Sequence, residues 1–443
     1  MDKLKIAILG MGYVGLTSGI AFSKHGFKSI CTTTTRSKAV NLAKGIPPFY
    51  EPGVEELLKE LVNVGMLSGS VNNVEAVDQS DVTFICVGTP SLPDGSADLS
   101  SIRDTARDIG IALKEKDSYH VVVAKSTIPP GTTEEIILPF VEKYSGKQVD
   151  RDFGLCMNPE FLRQGEAVHD SFNPDRIVIG QHDKRSGDVL EYIYRDYTCS
   201  KIRCDIKAAE LIKYAANSLL ATKISFANEF SRICEKFNID VYEVMRGVGL
   251  DFRLNPRFLD AGCGFGGSCF PKDVSAIKTL AKNIEVETPI LDAVLYTNEI
   301  QPLHLVEIVR DAVGSLKGKI IAVLGLSFKP NTDDIRATRA LPIIKKLVEE
   351  GAKIRAYDPK AATNFKRLVD LPVEYCDTWE EGLRGADLAV VQSDWKEIRD
   401  IKAEDFKRLL KNPVVVDGRR TYDANLLKAQ GVRYYGIGWK NKA

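Results

Sequence analysis

Leu4-Lys5-Ile6-Ala7-Ile8-Leu9 runs directly into Gly10-Met11-Gly12-Tyr13-Val14-Gly15, and this junction decides the fold. The first six residues are an apolar run of strand length. The next six are a Gly-x-Gly-x-x-Gly turn, and residues 16–25 read as a helix. A strand, a glycine turn and a helix in that order seat a pyrophosphate on the helix N-terminus. A bare glycine motif is weak evidence, and the alternative is a turn that serves packing alone. Here the strand, the spacing and the position near the start of the chain agree, so a dinucleotide is expected at Gly10, Gly12, Tyr13, Val14 and Gly15.

The pattern continues outward from that unit. Strand-like runs recur at 28–32, 82–87, 121–125, 154–157 and 177–179, with helical stretches among the first four strands. Such alternation predicts a doubly wound α/β domain, and the polar loops after its strands are where such folds bind ligands. From Ile206 to about Phe237 there is neither Gly nor Pro, which predicts one long helix suited to connect domains or line a dimer seam. A second α/β unit begins near Lys319, with strands at 320–325, 353–357, 388–392 and 414–416 but no full glycine motif. The fold class is therefore α/β, two doubly wound Rossmann-like domains joined by a long central helix. The expected regions are 1–200 for the cofactor, 201–300 for the helical middle and 315–443 for the second α/β domain.

Composition narrows the function. The chain has 443 residues, 44% of them hydrophobic, enough for two or three cores. Sixty basic and sixty acidic residues leave no net charge and no basic stripe, which argues against nucleic acid as a partner. An anionic substrate would then need locally placed Lys and Arg. Nine cysteines without a CxxC pair and only five histidines make a metal site improbable and fit reduced thiols in a cytoplasmic enzyme. Met1-Asp2-Lys3 leads straight into a strand, so no signal peptide is expected, and no apolar run approaches a membrane span.

A second informative stretch is Gly262-Cys263-Gly264-Phe265-Gly266-Gly267-Ser268-Cys269-Phe270-Pro271-Lys272-Asp273. Its glycines let the backbone approach a ligand, and Pro271 suits the first turn of a helix. Cys269 would sit by the positive end of that helix, which favours thiolate, and Asp273 lies four residues on along one face. A primed thiol beside a carboxylate is the equipment of covalent catalysis. The plainer alternative is a small-residue loop with a buried structural cysteine. On the long helix Lys213 and Asn217 share a face, either as a solvated pair or, given Leu211, Ile212, Tyr214 and Ala215, partly buried. A buried lysine would need an anion, and an alkoxide or thiolate would serve.

These motifs together resemble the nucleotide-sugar 6-dehydrogenases of the UDP-glucose/GDP-mannose dehydrogenase family. The resemblance rests on Gly10 to Gly15, Asn158-Pro-Glu-Phe-Leu162, Lys213 with Asn217, Gly264 to Asp273, Phe328-Lys329 and Asp417-Gly-Arg419, in order along nearly the whole chain. Within the family the pattern is nearest the members that oxidise UDP-glucose. UDP-N-acetylhexosamine members usually carry a differing cysteine loop, whereas GDP-mannose members share it. The resemblance implies four-electron oxidation of the sugar to its uronate, with two hydrides passed to the cofactor. It makes Cys269 the nucleophile, Lys213 the stabiliser of oxyanions with Asn217 as partner, and Asp273 the helper of Lys213. Glu160 would assist thioester hydrolysis and Thr127 would hold a water.

The same resemblance implies substrate contacts. They would come from Glu160, Phe161, Leu162, Arg163 and Gln164, from Lys213 and Asn217, and from Phe258, Leu259, Asp260, Ala261, Gly262 and Gly266. Phe328, Lys329 and Arg419 would complete the set, and Arg253 would reach across the interface of a homodimer built on the central helix. The cofactor would meet Val87, Gly88, Thr89, Thr127, Gln164, Lys272 and Arg336. No metal is implied.

Two positions depart from the pattern. NAD enzymes of this fold normally carry Asp or Glu at the end of the second strand, on the ribose diol. Here the segment reads Cys31-Thr32-Thr33-Thr34-Thr35-Arg36-Ser37-Lys38, with Thr33 at the place of the acid. Without that carboxylate a 2′-phosphate is not repelled, and the hydroxyls with Arg36 and Lys38 can bind it. NAD and NADP are both expected, with the preference open. Gln164 stands where the family often has Glu. A nucleotide-sugar binding protein without catalysis predicts loss of Cys269, Lys213 or Asp273, and all three are present. A two-electron hydroxy-acid dehydrogenase would not need the thiol.

Overall fold

The computed structural model describes residues 4–440. Met1, Asp2 and Lys3, on which the absence of a leader was expected, lie outside the described residues. The chain forms two compact units, Met1–Ala216 and Asn217–Ala443.

In the first unit eight strands form one sheet: β1 (Ile6–Leu9), β2 (Ser29–Thr32), β3 (Leu67–Ser70), β4 (Val82–Ile85), β5 (His120–Ala124), β6 (Phe153–Met157), β7 (Arg176–Gln181) and β8 (Ser200–Cys204). Their order is β3-β2-β1-β4-β5-β6-β7-β8. The first six are parallel, with β1 in register with both β2 (Ile6 beside Ser29) and β4 (Ile6 beside Val82). β6 and β7 then pair antiparallel, Cys156 opposite Gln181, and β8 follows β7 in parallel. β1, β4, β5 and β6 are buried along their whole length, as continuous apolar runs covered on both faces require. One core, with Ile6, Ile8, Phe22 and Phe84, fills one side of the sheet, and another, with Ala7, Leu9, Ile109 and Val122, fills the other.

The second unit repeats the arrangement with six parallel strands: β9 (Ile320–Leu324), β10 (Lys353–Tyr357), β11 (Val373–Tyr375), β12 (Leu388–Val391), β13 (Val414–Asp417) and β14 (Arg433–Gly436). The order is β11-β10-β9-β12-β13-β14, the same winding as the first six strands of the chain. Ahead of this sheet come the helices Val241–Gly249, Phe270–Asn283 and Pro289–Val313. The long helix Ile206–Phe237 has the expected limits and carries the chain from one unit into the next.

The first helix begins at Tyr13, three residues earlier than expected, because Gly12 takes the N-cap position and the turn is absorbed into the helix. β3, β8, β11 and β14 have no counterpart among the expected strands. Each is the outermost strand of its sheet.

Candidate functional site

Because β1, β2, β4, β5 and β6 are parallel, the loops that follow them emerge at one edge of the first sheet. The backbone at Gly10 has φ 114° and passes so close to β4 that a Cβ would lie 2.5 Å from the Cys86 carbonyl oxygen. A Cβ on Gly15 would lie 1.8 Å from the Gly10 carbonyl oxygen, so no other residue fits this turn. Gly12 is the opposite case: nothing lies within 4 Å of where its Cβ would be, and the same holds for Gly88 after β4. This open cradle beside a helix N-terminus fits a dinucleotide pyrophosphate. Tyr13 stacks on Phe49 at 3.9 Å, and Val14 is half-buried in the first turn.

At the end of β2, Thr32 donates to Asn73 at 2.6 Å, and the Thr33 hydroxyl accepts the Thr35 N–H at 3.2 Å. Arg36 and Lys38 are exposed, and neither forms an ion pair among the described residues. The Thr89 hydroxyl donates to the Thr127 carbonyl at 2.8 Å, and the Ser126 hydroxyl donates to that of Val87 at 2.7 Å.

After β6 the Glu160 carboxylate is buried. One oxygen accepts the Leu162 N–H at 2.6 Å, and the other lies 3.1 Å from the Lys213 ammonium, which is also buried. Lys213 stands 5.3 Å above the centre of the Phe161 ring, and the Arg176 guanidinium sits 3.8 Å from that same centre. Arg163 is held by Asp170, to which its Nε and Nη2 both donate, and by Glu166 at 2.7 Å. The half-buried Gln164 continues this loop.

Three residues that build this edge had no motif to announce them. The Glu51 carboxylate accepts the N–H groups of Gly165 and Ala167, both at 2.7 Å, and so anchors the loop after Glu160. Glu210, on the long helix, accepts from the Gly131 and Thr133 N–H groups at 2.6 and 2.8 Å, and burial pushes its carboxyl up to about 6. Lys125, immediately after β5, is buried beside Asn158. A buried charge leaves no periodicity in sequence, which is why these residues stay hidden.

In the second unit Cys269 is the N-cap of the helix Phe270–Asn283, with Pro271 in its first turn. The Cys269 carbonyl accepts the Asp273 N–H at 2.8 Å, and the half-buried Sγ lies 3.6 Å from the Ser268 hydroxyl. Asp273 is almost fully buried, at 1% exposure. Asn217 donates to one of its oxygens at 2.6 Å, and Lys272 lies 2.5 Å from the other.

The glycine loop before Cys269 is fixed along its length. Gly262 donates to Asn228, Phe265 donates to Asn298, and Gly267 donates to the Arg336 carbonyl at 2.8 Å. A Cβ on Gly266 would lie 2.5 Å from the Ala337 carbonyl oxygen, and one on Gly267 would lie 2.7 Å from the Phe328 ring. Arg419 donates to the carbonyls of Gln392 and Gly264, so it braces the loop from the end of β13. Lys329 stands 5.7 Å from the Phe328 ring centre. Tyr242 donates to the Ala261 carbonyl at 3.0 Å, Phe258 meets Phe270 edge to face, and Leu259 is buried beside the exposed Asp260. Arg253 is exposed and paired with Asp251, and Arg336 is paired with Asp334 at 2.6 Å. Among the described residues no group of three or more His, Cys, Asp or Glu could hold a metal ion, and no helix is long and apolar enough to cross a membrane.

Comparison with known proteins agrees with this architecture. Residues 4–198 match the NAD binding domain of the UDP-glucose/GDP-mannose dehydrogenase family, 207–300 its central domain and 322–424 its UDP binding domain. UDP-glucose 6-dehydrogenase YwqF of Bacillus subtilis is 40% identical over 437 residues, covering 99% of this chain and 98% of that protein. A solved UDP-glucose dehydrogenase from Pyrobaculum islandicum is 38% identical and superposes with a TM-score of 0.92, over 99% of this chain and 98% of that one. A solved UDP-D-ManNAc dehydrogenase from Pyrococcus horikoshii is 26% identical with a TM-score of 0.87, over 99% and 100%. The chain therefore belongs to the UDP-glucose/GDP-mannose dehydrogenase family. It is an oxidoreductase that acts on a CH–OH group and uses NAD.

Proposed function

We propose that this enzyme is a UDP-glucose 6-dehydrogenase, oxidising UDP-glucose to UDP-glucuronate in two steps through adducts on Cys269. The observation that carries the reading is Cys269 at the head of its helix, one turn from a buried Asp273 held by Asn217 and Lys272. Full-length relatives named for that reaction support the choice of sugar.

NAD bound at the glycine loop supplies the oxidising power for both steps. The chain's own residues do the rest. The Cys269 thiolate, favoured by the helix dipole, adds to the C6 aldehyde as a thiohemiacetal, and further oxidation leaves a thioester. The Lys213 ammonium offsets the negative charge that develops on oxygen, where exclusion of water strengthens it. Asn217 is its hydrogen-bonding companion, and Asp273 acts with Lys213 to take the alcohol proton. Glu160 directs the water that cleaves the thioester, and Thr127 holds that water. Lys329 and Arg419 are assigned to the diphosphate or the sugar.

Regions 1–200, 201–300 and 315–443 would bind the cofactor, pair two copies and bind the UDP-sugar. NADP is proposed as a second cofactor, through Thr33, Arg36 and Lys38. A cytoplasmic homodimer is the proposed form. On the long helix Leu219, Phe226 and Ile233 are exposed at intervals of seven residues, an apolar stripe of the kind that seams helices together. Phe226→Glu should then halve the mass measured by light scattering.

The deciding assay offers UDP-glucose, UDP-N-acetylglucosamine and GDP-mannose with each cofactor. The expected result is selective use of UDP-glucose with two cofactors reduced per sugar. A single reduction per sugar, or preference for another sugar, overturns the proposal.

A further inference from the structure

We propose that Glu210 is a positioning residue for thioester hydrolysis: it locks the loop that carries Thr127 onto the long helix that carries Lys213. The inference rests on the roles proposed above for Thr127 and Lys213.

The loop after β5 runs Lys125-Ser126-Thr127-Ile128-Pro129-Pro130-Gly131-Thr132-Thr133. Its first half is tied to the loop after β4. The Ser126 hydroxyl donates to the Val87 carbonyl at 2.7 Å, and the Thr127 carbonyl accepts the Thr89 hydroxyl at 2.8 Å. Its second half is tied to Glu210, which is fully buried. One Glu210 oxygen accepts the Gly131 N–H at 2.6 Å, and the other accepts both the N–H and the hydroxyl of Thr133, at 2.8 and 2.6 Å. Between these anchors the segment has little freedom. Ile128 is fully buried, Pro129 and Pro130 fix their own φ, and the Pro129 carbonyl accepts the Thr132 N–H at 3.1 Å and its hydroxyl at 2.6 Å. Thr127 is therefore held from both sides, and one of the two holds is Glu210.

Glu210 precedes Lys213 by three residues on the same helix, so the two share a face. Lys213 in turn lies 3.1 Å from Glu160. One carboxylate thus sets the hydroxyl that holds the water against the two groups that act on it. A second tie, the ion pair of Lys207 with Glu135 at 2.8 Å, is exposed on both sides and holds little. The plainer alternative is a cap for the helical turn that starts at Thr133. Other helices here are capped locally, by Asp183 at Lys184–Ile193 and by Asp423 at Ala424–Ala429. At Thr133 the acceptor comes instead from 77 residues along the chain. A buried charge costs stability unless it is bonded, and three donors compensate this one. Burial pushes the carboxyl up to about 6, still below neutrality, so both oxygens remain acceptors at neutral pH.

The test is transient and steady-state kinetics of the full chain near neutral pH with UDP-glucose and NAD, comparing wild type, Glu210→Gln, Thr127→Val and the double variant. In Glu210→Gln the amide nitrogen cannot accept, so the Gly131 or the Thr133 N–H loses its partner. Both hydride transfers in a single turnover should stay within about twofold of wild type, while release of the uronate, and kcat with it, should fall by about tenfold or more. Thr127→Val should slow the same step, and the double variant should be no slower than the slower single variant. A native rate of uronate release in Glu210→Gln, beside an impaired Thr127→Val, makes Glu210 a structural cap and overturns the inference alone. Hydride transfers slowed as much as release, or losses that multiply in the double variant, do the same. Unimpaired release in Thr127→Val overturns the role of Thr127 itself, and this inference with it. If Glu210→Gln fails to fold by circular dichroism, the cycle is read with Glu210→Asp, whose carboxylate falls one methylene short, and the same outcomes decide.

Discussion

The Lys213 ammonium lies 3.1 Å from a carboxylate oxygen of Glu160, and both side chains are nearly sealed from water. Removing one partner of such a pair leaves an uncompensated charge, which typically costs about 3–5 kcal/mol. The other oxygen of Glu160 is engaged by the Leu162 N–H, so the carboxylate has a fixed direction. Glu160→Gln keeps the shape and removes the charge. It should lower kcat by about a hundredfold while the KM for the sugar stays within a few-fold, read by steady-state kinetics. The broken pair lowers the melting temperature in either case, so a preserved kcat in the folded variant would mark a purely structural role.

Cys269→Ser separates the two oxidations. A serine hydroxyl is a far weaker nucleophile than a thiolate, so the covalent intermediate forms slowly or its ester hydrolyses slowly. Binding of the UDP-sugar should be nearly unchanged by calorimetry, while turnover stalls near the aldehyde or ester stage. Counting reduced cofactor per sugar in a single-turnover experiment shows where it stops: two with free uronate for the native enzyme, about one for a variant stalled at the aldehyde, and two with the sugar retained on the protein for one stalled at the ester.

Much of this was legible because the informative residues are forced by sterics or by burial. Continuous apolar runs announced β1, β4, β9 and β12, and these lie in the interior of their sheets, covered on both faces. The four unforeseen strands are the edges. β3 (Leu-Ser-Gly-Ser) and β8 (Ser-Lys-Ile-Arg-Cys) are half solvated, so they carry neither an apolar run nor clean alternation. The cysteine loop was readable for the same steric reason, since a Cβ at Gly266 would strike the Ala337 carbonyl. Glu51, Glu210 and Lys125 escaped because a long-range hydrogen bond to a buried charge has no local signature. Glu51 accepts from the N–H groups of Gly165 and Ala167, far along the chain.

Thr33 offers a test of cofactor choice. Its hydroxyl caps the Thr35 N–H, and the neighbouring Arg36 and Lys38 are exposed without ion pairs among the described residues. Thr33→Asp restores the ribose-binding carboxylate and repels a 2′-phosphate. The ratio of kcat/KM for NAD over NADP should rise by about tenfold or more, and Arg36→Ala should move it the same way by weakening NADP. Kinetics with both cofactors reads the outcome, and an unchanged ratio in both variants rejects the site.

His304 predicts a pH-dependent stability. Its two ring nitrogens lie 2.7 Å from Glu235 and 3.1 Å from Glu307. Burial opposes the charged ring, but the two carboxylates outweigh it and hold the imidazolium above its ordinary 6.5. A raised value means the stabilisation is complete below 6.5 and is lost as pH rises through the folded-state value. Thermal unfolding at pH 6 and pH 8 should therefore differ by more in the native chain than in His304→Gln.

Lys125 reverses that sign. Its folded-state value, about 8, is below the ordinary 10.5, so the fold favours the neutral amine. The destabilisation is complete below about 8 and fades as pH rises from there toward 10.5. Lys125→Met removes a buried ammonium and leaves Asn158 still bonded to Tyr194 and Val178. At pH 7 the variant should be more stable than the native chain, by about 1–3 kcal/mol in denaturant unfolding, and the difference should shrink by pH 10. A methionine variant less stable at pH 7 would instead make Lys125 a structural element.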